Sequence, residues 1–102
     1  MSDPLENKRA LVAGQAYAFR YKRFPDRKGA KMYQCRGVVM EIIPPPAPGY
    51  RSYESPAQRQ MYQDRATRVI LNHRPWPGEG GTGELSMEQI QEVYPIERPK
   101  GR

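Results

Sequence analysis

Apolar rings recur on every second residue from Tyr17 to Tyr21, with Ala16, Ala18, Arg20 and Lys22 between and around them. Successive side chains of an extended chain point to opposite sides, so strict alternation marks a strand with one buried face. The pattern predicts a strand that turns Tyr17, Phe19 and Tyr21 to the core. LVAGQAY leads into it through an apolar pair and a turn at Gly14, and structure is expected to begin near Leu11. FPDRKGAK follows, with Pro25 and Asp26 supplying turn chemistry and Gly29 free to take a positive φ, so the chain is expected to reverse there. MYQCRGVVMEII, from Met32 to Ile43, then reads as a long second strand. Gly37 in its middle marks a bulge, a sharp bend or the close approach of another backbone.

The remaining pattern is more broken. PPPAPGY ends the second strand, because proline cannot donate to a ladder, and PPPAPG reads as extended polyproline-like chain. SPAQRQMYQDRA predicts a short helix starting near Ser55 with Pro56 in its first position. RATRVILNH, from Arg65 to His73, reads as a third strand centred on Val69, Ile70 and Leu71, and RPWPGEGGTGE reads as loop. Ser86 and Gln89 then match an S-x-x-Q capping box, with Leu85 and Ile90 spaced as its hydrophobic staple. One helical turn is expected there, followed by a last brief strand through Val93, Tyr94 and Ile96. The expected organisation is a flexible tail over 1–10, a single domain over 11–97 with a proline-rich insertion at about 44–64, and a flexible tail over 98–102.

The fold class is mainly β: a small, strongly bent barrel or partly open antiparallel sheet with one or two short helical turns. Three features, the Leu-x-x-Gly of LVAGQAY, the Gly and apolar run of RGVVMEI, and the turn before the final strand in SMEQIQEVYPI, together resemble the Src-homology-3-like small barrels, including Tudor and KOW-type modules. The resemblance spans roughly 11–97 and lies in pattern alone. That class includes nucleic-acid-associated modules. Peptide-binding members use an acidic first loop, whereas FPDRKGAK is mainly basic, and the residues of a methyl-lysine cage cannot be assigned from linear order.

Composition sets the scale of this fold. A chain of 102 residues amounts to one domain with a modest core. Its 37% hydrophobic content, eleven prolines and nine glycines, with a mean hydropathy of −0.90, require that core to be economical. No apolar run approaches a membrane span and MSDPLENKRA lacks the apolar segment of a secretory signal, so a cytoplasmic protein is expected. Cys35 is the single cysteine, which excludes an internal disulfide and a cysteine-rich zinc site.

Charge changes the picture most. The net charge is +6, and its distribution is uneven. Residues 20–36 carry seven cations (Arg20, Lys22, Arg23, Arg27, Lys28, Lys31 and Arg36) against Asp26 alone. Residues 75–97 carry five glutamates and no cation. The chain is therefore expected to be electrically two-sided, with a polyanion partner on the basic side and the acidic C-terminal part facing away. A solvated basic face is the competing account.

These observations define the expected chemistry. Arg20, Lys22, Arg23, Arg27, Lys28 and Lys31 are placed to grip phosphates along the strand-turn-strand edge, with Arg36 as an extension. Tyr50, Tyr53 and Trp76 lie in loop-rich segments beside cations and are candidate stacking platforms for bases; packing beneath a loop is the alternative for each. GEGGTGE lacks the Gly-Lys-Ser/Thr ending of a phosphate loop, and its glutamates would repel phosphate. His73 and Cys35 are the only histidine and cysteine, and neither carries the signature of an activated nucleophile. No catalytic residue, metal or cofactor is expected. The sequence points to non-catalytic binding of DNA or RNA, accessory to a bacterial, phage or plasmid process. An adaptor for an acidic protein partner and a structural subunit of a larger assembly stand as alternatives.

Overall fold

In the computed structural model, which describes residues 4–45, 55–78 and 80–99, the chain is mainly β. A 3-10 turn, Lys8–Ala10, precedes β1 (Ala16–Lys22) and β2 (Met32–Ile43); α1 (Pro56–Ala66), β3 (Arg68–Asn72), β4 (Thr82–Ser86) and β5 (Ile90–Pro95) follow. The strands form one antiparallel sheet in the order β4-β3-β2-β1-β5. The sheet is not closed, yet its two edge strands are joined by only residues 87–89. Four strand spacings laid flat span about 19 Å, whereas the four steps from Ser86 to Ile90 reach at most about 14 Å. The sheet must therefore coil. Register shifts between Val39 and Glu41 on β2 and between Arg20 and Tyr21 on β1 supply bends.

The alternation read from β1 holds. Tyr17 and Phe19 are buried and Tyr21 packs against the same cluster, which gathers Val39 of β2, Val69 and Leu71 of β3, Leu85 of β4 and Ile90 and Val93 of β5. The opposite face carries a smaller cluster of Ala16, Val38 and Trp76, joined by Ile96. Gly37 belongs to the close-approach class. A Cβ there would meet Leu71 Cβ at 3.0 Å and the His73 ring at 3.4 Å, and one on Gly83 would meet His73 Nε2 at 2.7 Å. His73 thus lies against two strands that lack side chains at those points.

The local capping patterns form their hydrogen bonds. Ser55 caps α1, its Oγ accepting from Gln58 N and its own N–H donating to the Gln58 side chain, each at 3.2 Å, with Pro56 at the first helical position. Ser86 and Gln89 make the same reciprocal pair, at 3.0 and 3.3 Å. Here, however, it closes a tight turn between strands instead of starting a helical one. Residues 82–84 read as loop and Leu85 and Ser86 as the entry to that helical turn, yet together they form a short edge strand whose buried side chain is Leu85. The third strand starts at Arg68, because Arg65 and Ala66 end α1.

Over residues 4–10 the chain departs from the loose tail expected there. Leu5 N–H donates to Val93 O at 2.7 Å, Lys8 Nζ donates to Ile90 O at 2.8 Å, and Leu5 packs on the core. Arg9 grips both carboxylate oxygens of Asp64, the buried charged residue of α1. This segment therefore covers the open edge of β5 and ties down a helix whose other side chains are largely exposed. Among the described residues, no helix is long and apolar enough to cross a membrane.

Candidate nucleic-acid interface

The end of the β1–β2 hairpin is built by two consecutive turns. Arg27 N–H donates to Phe24 O at 3.0 Å and Ala30 N–H to Arg27 O at 3.2 Å. Pro25 occupies the second position of the first turn, where its fixed φ fits, and Gly29 takes the third position of the second with φ 77°. The base of the loop is pinned to the β4–β5 turn, since Lys22 N–H donates to Gln89 O and Gln89 Nε2 donates to Arg23 O. A short, fixed loop thus presents Arg23, Arg27, Lys28 and Lys31, with Lys22 at its stem.

Aromatic rings order these cations. The Arg23 guanidinium lies 4.8 Å and the Lys31 ammonium 5.4 Å from the centre of the Tyr33 ring, and Arg27 lies 4.8 Å from that of Phe24. Tyr33 also stacks on Tyr21 at 5.6 Å. Arg23, Phe24, Arg27, Lys31 and Tyr33, with Lys28, line a depression of about 260 Å³. Among the described residues, none of Lys22, Arg23, Arg27, Lys28 and Lys31 makes an ion pair. Asp26, the acidic residue of this loop, instead lies 3.9 Å from Arg65.

Four arginines elsewhere are matched, whereas Arg59, Arg74 and Arg98 make no ion pair among the described residues. Arg9 pairs with Asp64, Arg20 with Glu92 at 2.9 Å, Arg65 with Glu88 at 3.0 Å, and Arg68 with Glu84. The expected separation into a basic and an acidic side is therefore wrong for these residues. Antiparallel pairing puts β5 beside β1 with Glu92 opposite Arg20, and β4 beside β3, so the acidic C-terminal strands neutralise neighbouring basic ones.

Of the candidate site residues, Arg23, Arg27, Lys28 and Lys31 come together around one depression, with Lys22 at the stem of the loop. Arg20 lies on the outer sheet face, committed to Glu92, whose carboxylate also accepts from Tyr94 Oη at 2.6 Å. The Tyr94 hydroxyl and then Arg20 hold Glu92 below the ordinary carboxylate range, and Glu92 in turn raises Tyr94. Glu84 is lowered by Arg68. Carboxylates lowered by folding add stability above their unfolded range, and that contribution is lost as pH falls through their folded values. Arg36 is four residues from Met32 along β2, about 13 Å from the hairpin end, with its guanidinium 5.7 Å from the Trp76 ring centre. Trp76 itself is only 4% exposed, packed on Ala16 and Val38, so its placement as a stacking platform is corrected: it is a core residue of the outer face. Tyr50 and Tyr53, and the proline-rich segment from Pro46 onward, lie outside the described residues.

Sequence reasoning missed Phe24 and Tyr33. The available signal for Phe24 was a large apolar residue at the first position of a Pro-Asp turn, where Asp, Asn or Ser is the usual choice. Glu92→Gln offers a check on whether the outer face extends the site. Removing that carboxylate releases Arg20, and polyanion affinity at low salt is expected to rise about two- to fivefold if Arg20 then reaches a phosphate. An unchanged affinity would confine the site to the hairpin end.

The fold and this surface define a small, mainly β protein that presents a basic hairpin end whose cations make no ion pair among the described residues. Comparison with family models, with curated proteins and with solved structures finds no match. Among the described residues, no group of three or more His, Cys, Asp or Glu side chains is placed to hold a metal ion.

Proposed function

We propose that this chain is a non-catalytic nucleic-acid-binding protein that grips phosphates with the end of the β1–β2 hairpin. One observation carries the reading: Lys22, Arg23, Arg27, Lys28 and Lys31 crowd one loop without an ion pair among the described residues, while Arg9, Arg20, Arg65 and Arg68 each have a carboxylate. Like charges held this close repel, and a polyanion relieves that repulsion while releasing its own counterions. The stacking of three of these cations on Phe24 and Tyr33 favours the same reading, because it fixes guanidinium and ammonium groups in place before a partner arrives. The reading assigns the sheet to the Src-homology-3-like class, and the protein to an accessory role in a bacterial, phage or plasmid DNA or RNA process in the cytoplasm.

Fluorescence-anisotropy titration with labelled duplex DNA, single-stranded DNA and RNA tests it. Five phosphate contacts give a slope of log K against log salt of about −4.5 for duplex, so affinity should fall several-hundred-fold between about 50 and 200 mM salt. Binding that ignores salt, or no binding at low salt, would remove nucleic acid from consideration and leave an acidic protein surface as the partner to seek.

A further inference from the structure

The hairpin end has a feature that phosphate binding alone does not require. Phe24 is 58% exposed, and nothing in the turn calls for an aromatic residue at that position. Tyr33 is already in contact with Tyr21, Arg23 and Lys31. Phe24 differs. Arg27 lies over it at 4.8 Å, and more than half of the residue still meets solvent. Its backbone is held by Pro25, which restricts the conformation of the residue before it, and by the hydrogen bond from Arg27 N–H to its carbonyl. An apolar ring is thus fixed at the rim of a cationic depression of about 260 Å³, a space below that of drug-sized pockets.

Resting on the reading above, we infer that the hairpin takes single-stranded nucleic acid in preference to duplex, one unstacked base lying on Phe24 while Arg23, Arg27, Lys28 and Lys31 hold the phosphates on either side of it. A paired duplex keeps its base faces stacked on one another and leaves Phe24 without a partner, whereas a single strand offers a π-face at every nucleotide. The cations supply attraction to both forms. Phe24 supplies the difference between them, without reading sequence.

The test is the ratio of single-strand to duplex affinity, measured by anisotropy with a labelled pyrimidine-rich oligonucleotide and its duplex at fixed low salt, together with the salt slope. The wild-type protein should favour the single strand. Phe24→Ala should lower the ratio about tenfold or more with the single-strand salt slope unchanged, because a stacking contact releases no counterion. Phe24→Trp should restore the ratio, and Phe24→Leu, which keeps apolar bulk in the loop, should lose it as alanine does. A wild-type preference for duplex, or a ratio unmoved by Phe24→Ala, overturns the single-strand inference while salt-dependent binding leaves the phosphate reading standing. Absence of binding to either form overturns both.

Discussion

Reversing Lys22, Arg23, Arg27 and Lys28 together to glutamate should cut affinity for any nucleic acid by at least about a hundredfold at low salt. Four of the five grouped cations disappear, which by itself lowers the duplex salt slope by about 3 to 4, and four carboxylates then repel the phosphates that the cations attracted. The fold should survive. None of these side chains lies in either apolar cluster, and the bonds that pin the loop to the β4–β5 turn use the Lys22 N–H and the Arg23 carbonyl, which substitution leaves in place. What is lost on folding is the stacking of Arg23 and Arg27 on aromatic rings, about 0.5–1 kcal/mol apiece at exposed sites, offset by relief of repulsion within the cluster. Thermal melting should therefore shift by only a few degrees. Retained affinity in the folded variant would remove the hairpin end from the function altogether.

That expectation rests on a comparison that the linear sequence could not make. From charge order alone, residues 20–36 are a basic block and 75–97 an acidic one, and the natural inference is two opposed faces. Strand order decides otherwise. With β5 laid beside β1, Glu92 falls opposite Arg20, and with β4 beside β3, Glu84 reaches Arg68. Pairing between strands distant in sequence is a tertiary fact, so the neutralised arginines look identical in sequence to those in the loop. The loop cations were legible because turn chemistry is local: Pro25, Asp26 and Gly29 place them beyond the end of the ladder whichever strands pair.

The same division separates the elements read correctly from those missed. β1, β2 and the start of α1 were legible from alternation and from the Ser55-Pro56 cap, signals contained within a few residues. β4 was not. Gly83 lowers its strand propensity, and it is glycine because the His73 ring of the preceding segment stands where its Cβ would be. The Ser86–Gln89 pair was recognised, but its hydrogen bonds close a turn as readily as they cap a helix, and only the demand that β5 reach β1 selects between them. Trp76 between two prolines reads as loop until Ala16 and Val38 are seen beneath it.

The second large effect is expected at the other end of the chain, where polarity and Pro4 suggested a tail. Deleting residues 1–10 removes the Leu5–Val93 backbone bond, the Lys8 bond to Ile90 O, the apolar packing of Leu5 and the Arg9 grip on Asp64. A backbone bond contributes about 1 kcal/mol, partial burial of a leucine side chain about 1, and the Arg9 contact about 1, discounted because Arg9 remains 41% exposed. The sum, about 3 kcal/mol, lowers Tm by roughly 10–20 °C for a domain of this size. A second consequence is specific to the edge. Val93 O and Ile90 O lose their covering donors, leaving β5 as an open template for another strand, so the truncated protein should self-associate in analytical ultracentrifugation more than the full chain does. Arg9→Gln separates the two effects. It weakens the tie to α1 and lowers Tm by only a few degrees, while Leu5 still covers the strand and no new association appears. A truncated chain that melts unchanged and sediments as the full chain does would mean that this segment contributes neither stability nor protection to β5.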